Sequence, residues 1–146
     1  MTSPCEADAG GAGGSITAPA GRHRPLRVLL ADDYLLVRFR TRQQLEDIPN
    51  LRVVGEATDG FEAVALARTL SPDLIFMDIS MPGLDGLEAT RRITAEFPHM
   101  RVIILSSHIG ESFLKGAEAA GAHGYLVKGD HTQSFAAAIR QVFDGR

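Results

Sequence analysis

Several residues suited to phosphoryl chemistry each follow a short apolar run: the pair Asp32-Asp33 after RVLLA, Asp78 after LIFM, Ser106 after VIIL, and Lys128 just beyond Tyr125 in GYLVK. Brought to one place, three carboxylates repel one another and resist ionisation unless a hard divalent cation sits among them. Mg²⁺ suits that position, because it takes few carboxylates, keeps several waters and bridges to phosphate oxygens. Phosphoryl transfer asks for a nucleophile, neutralisation of developing charge, and positioning. Asp78, the central carboxylate, is the expected nucleophile and would form an aspartyl phosphate. Lys128 would neutralise one phosphoryl oxygen, Ser106 would donate its hydroxyl to another, and Asp32 and Asp33 would hold the metal. Singly, each residue has a plainer reading. An acid after a strand commonly caps the next helix, which for the Asp32-Asp33 pair alone is favoured by roughly two to one. A lone serine is a satisfied strand end, a lone lysine a solvated charge, a lone tyrosine core filling. Only their joint occurrence at successive strand ends reverses that balance.

The elements that must bring them together alternate along the chain. Short β-branched or Leu-rich runs at 27–31, 51–57, 73–78, 101–106 and 124–127 are separated by amphipathic segments of helical length, the pattern of βαβ units and a parallel sheet. The first, third and fourth runs are almost continuously apolar, as strands covered on both faces are. Leu35, Leu36, Phe39 and Leu45 fall on one predicted helical stripe, and Phe61, Val64, Ala65 and Leu66 on the next. Breakers at Pro49-Asn50, Ser71-Pro72 and Pro98 end helices, Gly121 has the place of a C-terminal cap, and a last helix is expected from about His131 to Phe143. Right-handed crossovers then give an open doubly wound sheet with helices on both faces, and ligands sit beyond the carboxyl ends of its strands. All the residues above lie at that edge.

Bulk properties narrow the partners. A chain of 146 residues, 45% hydrophobic, fits one domain. A net charge of −3 gives no basic footprint for a phosphate backbone, so direct nucleic-acid binding is not expected. The lone Cys5 offers no intrachain disulfide or Cys-ligated metal, and no apolar run is long enough to cross a membrane. A reducing cytoplasm fits. Residues 1–24, rich in Gly, Ala, Ser and Pro, are expected to be a disordered tail, with the domain over 25–146. The histidines lack zinc-protease spacing, and neither G-x-x-x-x-G-K-[ST] nor G-x-G-x-x-G is present.

The segments LLADDYLLVR, MDISMPGLDGLEATRRI, VIILSSH and GAHGYLVKG resemble those of bacterial two-component response-regulator receiver domains, especially the NarL/FixJ type, over about residues 26–144. The resemblance implies a flavodoxin-like five-stranded parallel sheet of order 2-1-3-4-5 with five helices. It implies that Asp78 is phosphorylated from the phosphohistidine of a sensor histidine kinase or a phosphotransfer protein. It further implies that Asp32, Asp33 and Asp78, with the main-chain carbonyl at Ser80, bind Mg²⁺, that Lys128 pairs with the phosphoryl group, and that Ser106 and Tyr125 are a switch pair. On phosphorylation Ser106 would be drawn inward and Tyr125 would turn with it, changing the face made by the fourth helix, fifth strand and fifth helix. The output would be a downstream effector protein or a DNA-binding output domain, with a phosphorylation-dependent homodimer also within the expectation. Ser80 and His108 would lie beside the phosphoryl pocket and tune hydrolysis, a plain surface role being equally open.

Two departures stand out. The family often has Lys-Pro after the fifth strand, where this chain has Lys128-Gly129; and NarL/FixJ-type regulators usually continue into a helix-turn-helix domain, whereas nothing follows Arg146 here. The expectation is a stand-alone receiver or a chain cut from a longer one. Pro82, Gly83 and Gly86 would turn the backbone past Asp78 and bend it into the next helix. Tyr34, Leu35 and Leu36 would contact a kinase, a core role for Leu35 and Leu36 being at least equally open. Two other classes compete. A small phosphohydrolase with an aspartyl-phosphate intermediate would turn over phosphate esters, though such enzymes often space their first two acids two apart. A receiver-like docking module that never uses phosphate would be expected to have a damaged site.

Overall fold

The computed structural model describes residues 24–108, 110–130 and 134–144. The expected tail up to residue 23 and the expected start of the last helix at 131–133 lie outside the described residues. The strands are β1 (Leu26–Ala31), β2 (Leu51–Ala57), β3 (Leu74–Met77), β4 (Arg101–Ser106) and β5 (Gly124–Val127). The helices are α1 (Leu35–Glu46), α2 (Gly60–Leu70), α3 (Gly86–Glu96), α4 (Glu111–Ala119) and α5 (Phe135–Asp144). All strand pairs are parallel and the order is β2-β1-β3-β4-β5, as expected.

Alternation along the strands builds two cores. Leu29, Ala31, Ile75, Met77, Val102 and Ile104 face α2, α3 and α4, which contribute Ala63, Ala67, Ala89, Ile93 and Ala117. Val28, Leu30, Leu74, Phe76, Ile103 and Leu105 face the other way, toward Leu45 of α1 and Ile139 and Val142 of α5. Since β1, β3 and β4 lie inside the sheet and are covered on both faces, their nearly unbroken apolar sequences follow. Between Val28 and Leu29 the β1–β2 register shifts: Val28 pairs with Val53, but Leu29 pairs with Gly55. One extra residue in β2 reverses which face its later side chains take. Glu56, now opposite Leu30, therefore points to the α1 side.

The predicted stripe on α1 is not its buried face. Leu35, Leu36 and Phe39 are 70%, 56% and 55% exposed, while Thr41 and Leu45 are buried. On α2 the buried positions are Gly60, Ala63 and Ala67, and Phe61 points outward. Small residues let α2 lie close on the sheet, where a phenylalanine would hold it off. The last helix follows expectation, with Ile139 and Val142 buried and Phe135 and Ala138 packed against them. The breakers act as predicted: α1 ends before Pro49, Ser71 is a left-handed C-cap (φ 49°) before Pro72, and α3 ends at Phe97 before Pro98.

Candidate functional site

Register aligns the strand ends. Ala31 pairs with Met77, Met77 with Ile104, and Ser106 with Val127, so the residues that follow come to one edge. The Asp78 N–H donates to the Ala31 carbonyl (3.0 Å) and the Lys128 N–H to the Ser106 carbonyl (2.8 Å), carrying the ladder past the last assigned residues. Asp32, Asp78 and Ser106 are buried, Asp33 is exposed, and Lys128 is partly buried. One carboxylate oxygen from each of Asp32, Asp33 and Asp78 lies within 4.8 Å of the others.

The plain capping reading of the acidic pair does not hold. The N-cap of α1 is Tyr34, and no side chain caps it. By contrast, Asp59 and Asp85 cap α2 and α3 by accepting from the N–H of Glu62 and Glu88, at 2.7 and 2.9 Å. Asp32 is tied down on both oxygens: Oδ1 accepts from the Tyr34 N–H (2.9 Å) and Oδ2 lies 2.7 Å from Lys128 Nζ. Lys128 Nζ also reaches Asp78 Oδ1 at 3.2 Å. Among the described residues the Asp33 carboxylate has no hydrogen-bond partner, and it stands at the open side of the cluster.

Burial pushes the Asp78 carboxyl above the ordinary carboxylate range; Lys128 pulls it back, but Asp32 and Asp33 add to the rise. Burial also works against the Lys128 charge, yet the hydrogen bond to Asp32 and the charges of Asp78 and Asp32 hold its pKa above the usual lysine value. The pocket thus holds more negative charge than one ammonium balances. Three carboxylates of this spacing form a hard-oxygen donor set that fits a small divalent cation.

Beside the acids, the main chain of a single residue, His108, joins the two residues expected to switch. The His108 N–H donates to Ser106 Oγ (3.0 Å), and Tyr125 OH donates to the His108 carbonyl (2.9 Å). The Tyr125 ring is partly buried and packs against the α2–α4 core. The His108 ring lies on Phe113 (4.5 Å between centroids, 15°), and its Nε2 is 3.0 Å from Ser80 Oγ. Ser80 and His108 therefore share one contact.

Of the two glycines after Asp78, one acts as expected and the other does not. Gly83 (φ 75°) makes the turn, whereas Gly86 is the first residue of α3 and packs flat against Asp78: a Cβ there would lie 1.8 Å from the Asp78 carbonyl oxygen. Close approach, not a bend, requires glycine. Gly129 adopts φ 81°, which proline cannot reach, so the Lys128-Gly129 loop takes its own path. Sequence reasoning missed Arg38 and Glu56. Arg38 Nη1 donates to the Asp32 carbonyl (2.7 Å) and its Nε to Glu56 Oε1 (2.7 Å). Arg38 is one of three arginines in α1, and nothing in the sequence sets it apart from Arg40 and Arg42.

A doubly wound sheet of this order, with acids, a hydroxyl and a lysine at its carboxyl edge, defines a phosphoacceptor class of fold, and comparison with known proteins agrees. Residues 28–140 match the response regulator receiver domain, and the chain belongs to that family. The general property of the family is phosphorylation of an aspartate by a histidine kinase in two-component signalling. Response regulator UvrY of Escherichia coli K12 is 45% identical over 121 residues, covering 83% of this chain and 56% of UvrY. The chain thus spans about half the length of that relative. Among solved structures, a LuxR-family response regulator from Aurantimonas sp. SI85-9A1 superposes with a TM-score of 0.79 at 38% identity, covering 84% of this chain and 87% of that one. The signal receiver domain of the putative response regulator NarL from Mycobacterium tuberculosis gives 0.78 at 30%, covering 84% and 99%.

Proposed function

We propose that Asp78 is the phosphoacceptor of this receiver, loaded in a Mg²⁺ site formed by Asp32, Asp33, Asp78 and the main-chain carbonyl of Ser80. The observation that carries the reading is Lys128 Nζ bridging Asp32 and Asp78 on a buried floor while Asp33 stays open to solvent. Asp33 is exposed, and the hydrogen-bonded oxygens of Asp32 and Asp78 each keep a further lone pair to offer a cation. Bound Mg²⁺ would supply charge neutralisation to the acids and the phosphoryl oxygens. The chain's own residues do the rest. An Asp78 oxygen attacks phosphorus; the P–N bond of the donor phosphohistidine breaks, and its electron pair returns to the imidazole, which takes up a proton. Lys128 leaves Asp78 to pair with a phosphoryl oxygen, and the Ser106 hydroxyl donates to another. Ser106 and Tyr125 then report the change through His108.

In this reading the domain occupies residues 25–146 behind a tail at 1–24 whose last residue, Arg24, is held to the domain by Asp73; it works in the cytoplasm and assists its own dephosphorylation without acting as a turnover enzyme. The apolar start of α1, with Tyr34, Leu35, Leu36 and Phe39 exposed beside Asp33, is the docking face for the kinase or phosphotransfer protein. The output goes to an effector protein or an output domain, with homodimerisation on phosphorylation. Incubation with acetyl phosphate and Mg²⁺, followed by intact mass, tests the core of it. One phosphoryl adduct is expected on the wild type and none on Asp78→Asn; an adduct that persists in the variant would overturn the assignment. Light scattering before and after loading tests the dimer.

A further inference from the structure

The acidic pair sits on a turn that lacks the usual means of holding a helix start. Tyr34 offers no capping side chain, and the first turn of α1 carries no acid. Asp32 Oδ1 holds the Tyr34 N–H (2.9 Å), and the rest of the hold comes from further along the helix. The Arg38 guanidinium reaches back to the Asp32 carbonyl (2.7 Å) and is itself gripped by Glu56 Oε1 (2.7 Å), with its side chain only 11% exposed. Glu56 also pairs with Arg42, and although burial works against its charge, these two arginines hold its pKa below the usual range, so it is a firm anionic anchor. The anchor is available only because the extra residue in β2 turns Glu56 to the α1 side. The next residue of β2 completes the hold, since the Asp32 N–H donates to the Ala57 carbonyl (3.0 Å). Both main-chain groups of Asp32 are therefore tied to β2, one directly and one through Arg38.

We propose that Arg38, braced by Glu56, is a positioning residue for the cation site: it fixes the main chain at Asp32 so that the carboxylates of Asp32 and Asp33 face Asp78. The inference rests on the reading of the acid cluster as a Mg²⁺ site. Arg38 acts through the backbone and touches neither cation nor phosphoryl group. Its charge and its geometry push in opposite directions, which makes the inference testable. By Coulomb's law alone a nearby cationic side chain disfavours Mg²⁺, so its removal would tighten binding. If Arg38 positions the acids, removal weakens binding instead.

The experiment is a Mg²⁺ titration of the purified chain followed by amide NMR shifts, for the wild type, Asp33→Asn, Arg38→Ala and Arg38→Lys, with thermal unfolding alongside. Arg38→Ala is expected to bind Mg²⁺ on the order of tenfold more weakly, the usual effect of losing a residue that orients a ligand. Arg38→Lys keeps the charge but cannot span both partners, and is expected to fall between the two. Arg38→Ala binding as tightly as the wild type or more tightly, with only its melting point lowered, overturns the inference. If Arg38→Ala does not fold, Arg38→Lys decides: affinity equal to the wild type overturns it, weaker affinity supports it. A wild type without saturable binding that Asp33→Asn removes sinks the cation reading itself, a result separate from any behaviour of Arg38.

Discussion

Lys128 stands between two buried carboxylates, and its replacement separates its two tasks. Lys128→Ala leaves Asp32 and Asp78 without their cation, so Mg²⁺ is expected to bind more tightly while phosphorylation by acetyl phosphate slows by on the order of 100-fold, the scale of losing one charge-stabilising donor. Unchanged phosphorylation rates would remove Lys128 from the chemistry. A second acid, far from the site, links stability to pH. Asp73 accepts two bonds from Arg24 (2.8 and 2.8 Å) and one from the Arg27 N–H (2.9 Å). Burial alone would raise its pKa, but these partners hold it below the ordinary range. A depressed folded pKa stabilises the fold above the unfolded value and loses that contribution as pH falls through the folded one. Asp73→Asn is therefore expected to be less stable than the wild type near neutral pH, the gap closing in urea unfolding as pH falls below the ordinary carboxylate range. A gap that stays constant with pH would show that the pair contributes nothing through its charge.

Among the elements, α3 and α1 make the sharpest predictions. Gly86→Ala forces α3 away from the Asp78 backbone and is expected to cost roughly 1–3 kcal/mol in urea unfolding while slowing phosphorylation. Replacing Leu36 and Phe39 with serine is expected to abolish transfer from a cognate kinase and to leave acetyl phosphate loading intact. If both reactions fall together, the helix face is structural. These elements also mark how far the sequence could be read. The strands were legible because β1, β3 and β4 are covered on both sides and must be apolar throughout, and the strand ends gave the acids, Ser106 and Lys128 with them. The inward face of α1 was not. At about 100° per residue, Leu35, Leu36, Phe39 and Leu45 spread over half the helix circumference, and only the Leu45 edge, shared with Thr41, meets the sheet. Hydrophobic spacing cannot distinguish a residue kept apolar for the core from one kept apolar for a partner. Arg38 was hidden for a different reason. Its role depends on an extra residue in β2, and the one local sign of that bulge is Gly55 inside the strand, which does not tell which later side chains change face.

For the molecule as a whole, the excess of buried acid means that the metal-free fold carries an electrostatic cost. The Asp78 carboxyl, raised above its usual range, is harder to ionise in the fold than in the unfolded chain, so its charge costs stability at neutral pH and Asp78→Asn is expected to melt higher than the wild type there without Mg²⁺. Added Mg²⁺ is expected to stabilise the wild type by about 2.7 kcal/mol at a hundredfold excess over its dissociation constant, and the variant far less. Calorimetry of both proteins with Mg²⁺ and with chelator checks this; equal Mg²⁺ shifts would place the cation elsewhere. Among the described residues no helix is long and apolar enough to cross a membrane. A final consequence follows from the main chain of His108. A hydroxyl can accept one hydrogen bond while donating another, so Ser106 need not release the His108 N–H when it turns toward a phosphoryl oxygen. The link between the two switch residues would then work as a tether that is pulled rather than a latch that is broken. Its signature is a His108 amide whose resonance moves on phosphorylation yet whose hydrogen stays protected from solvent exchange in both states.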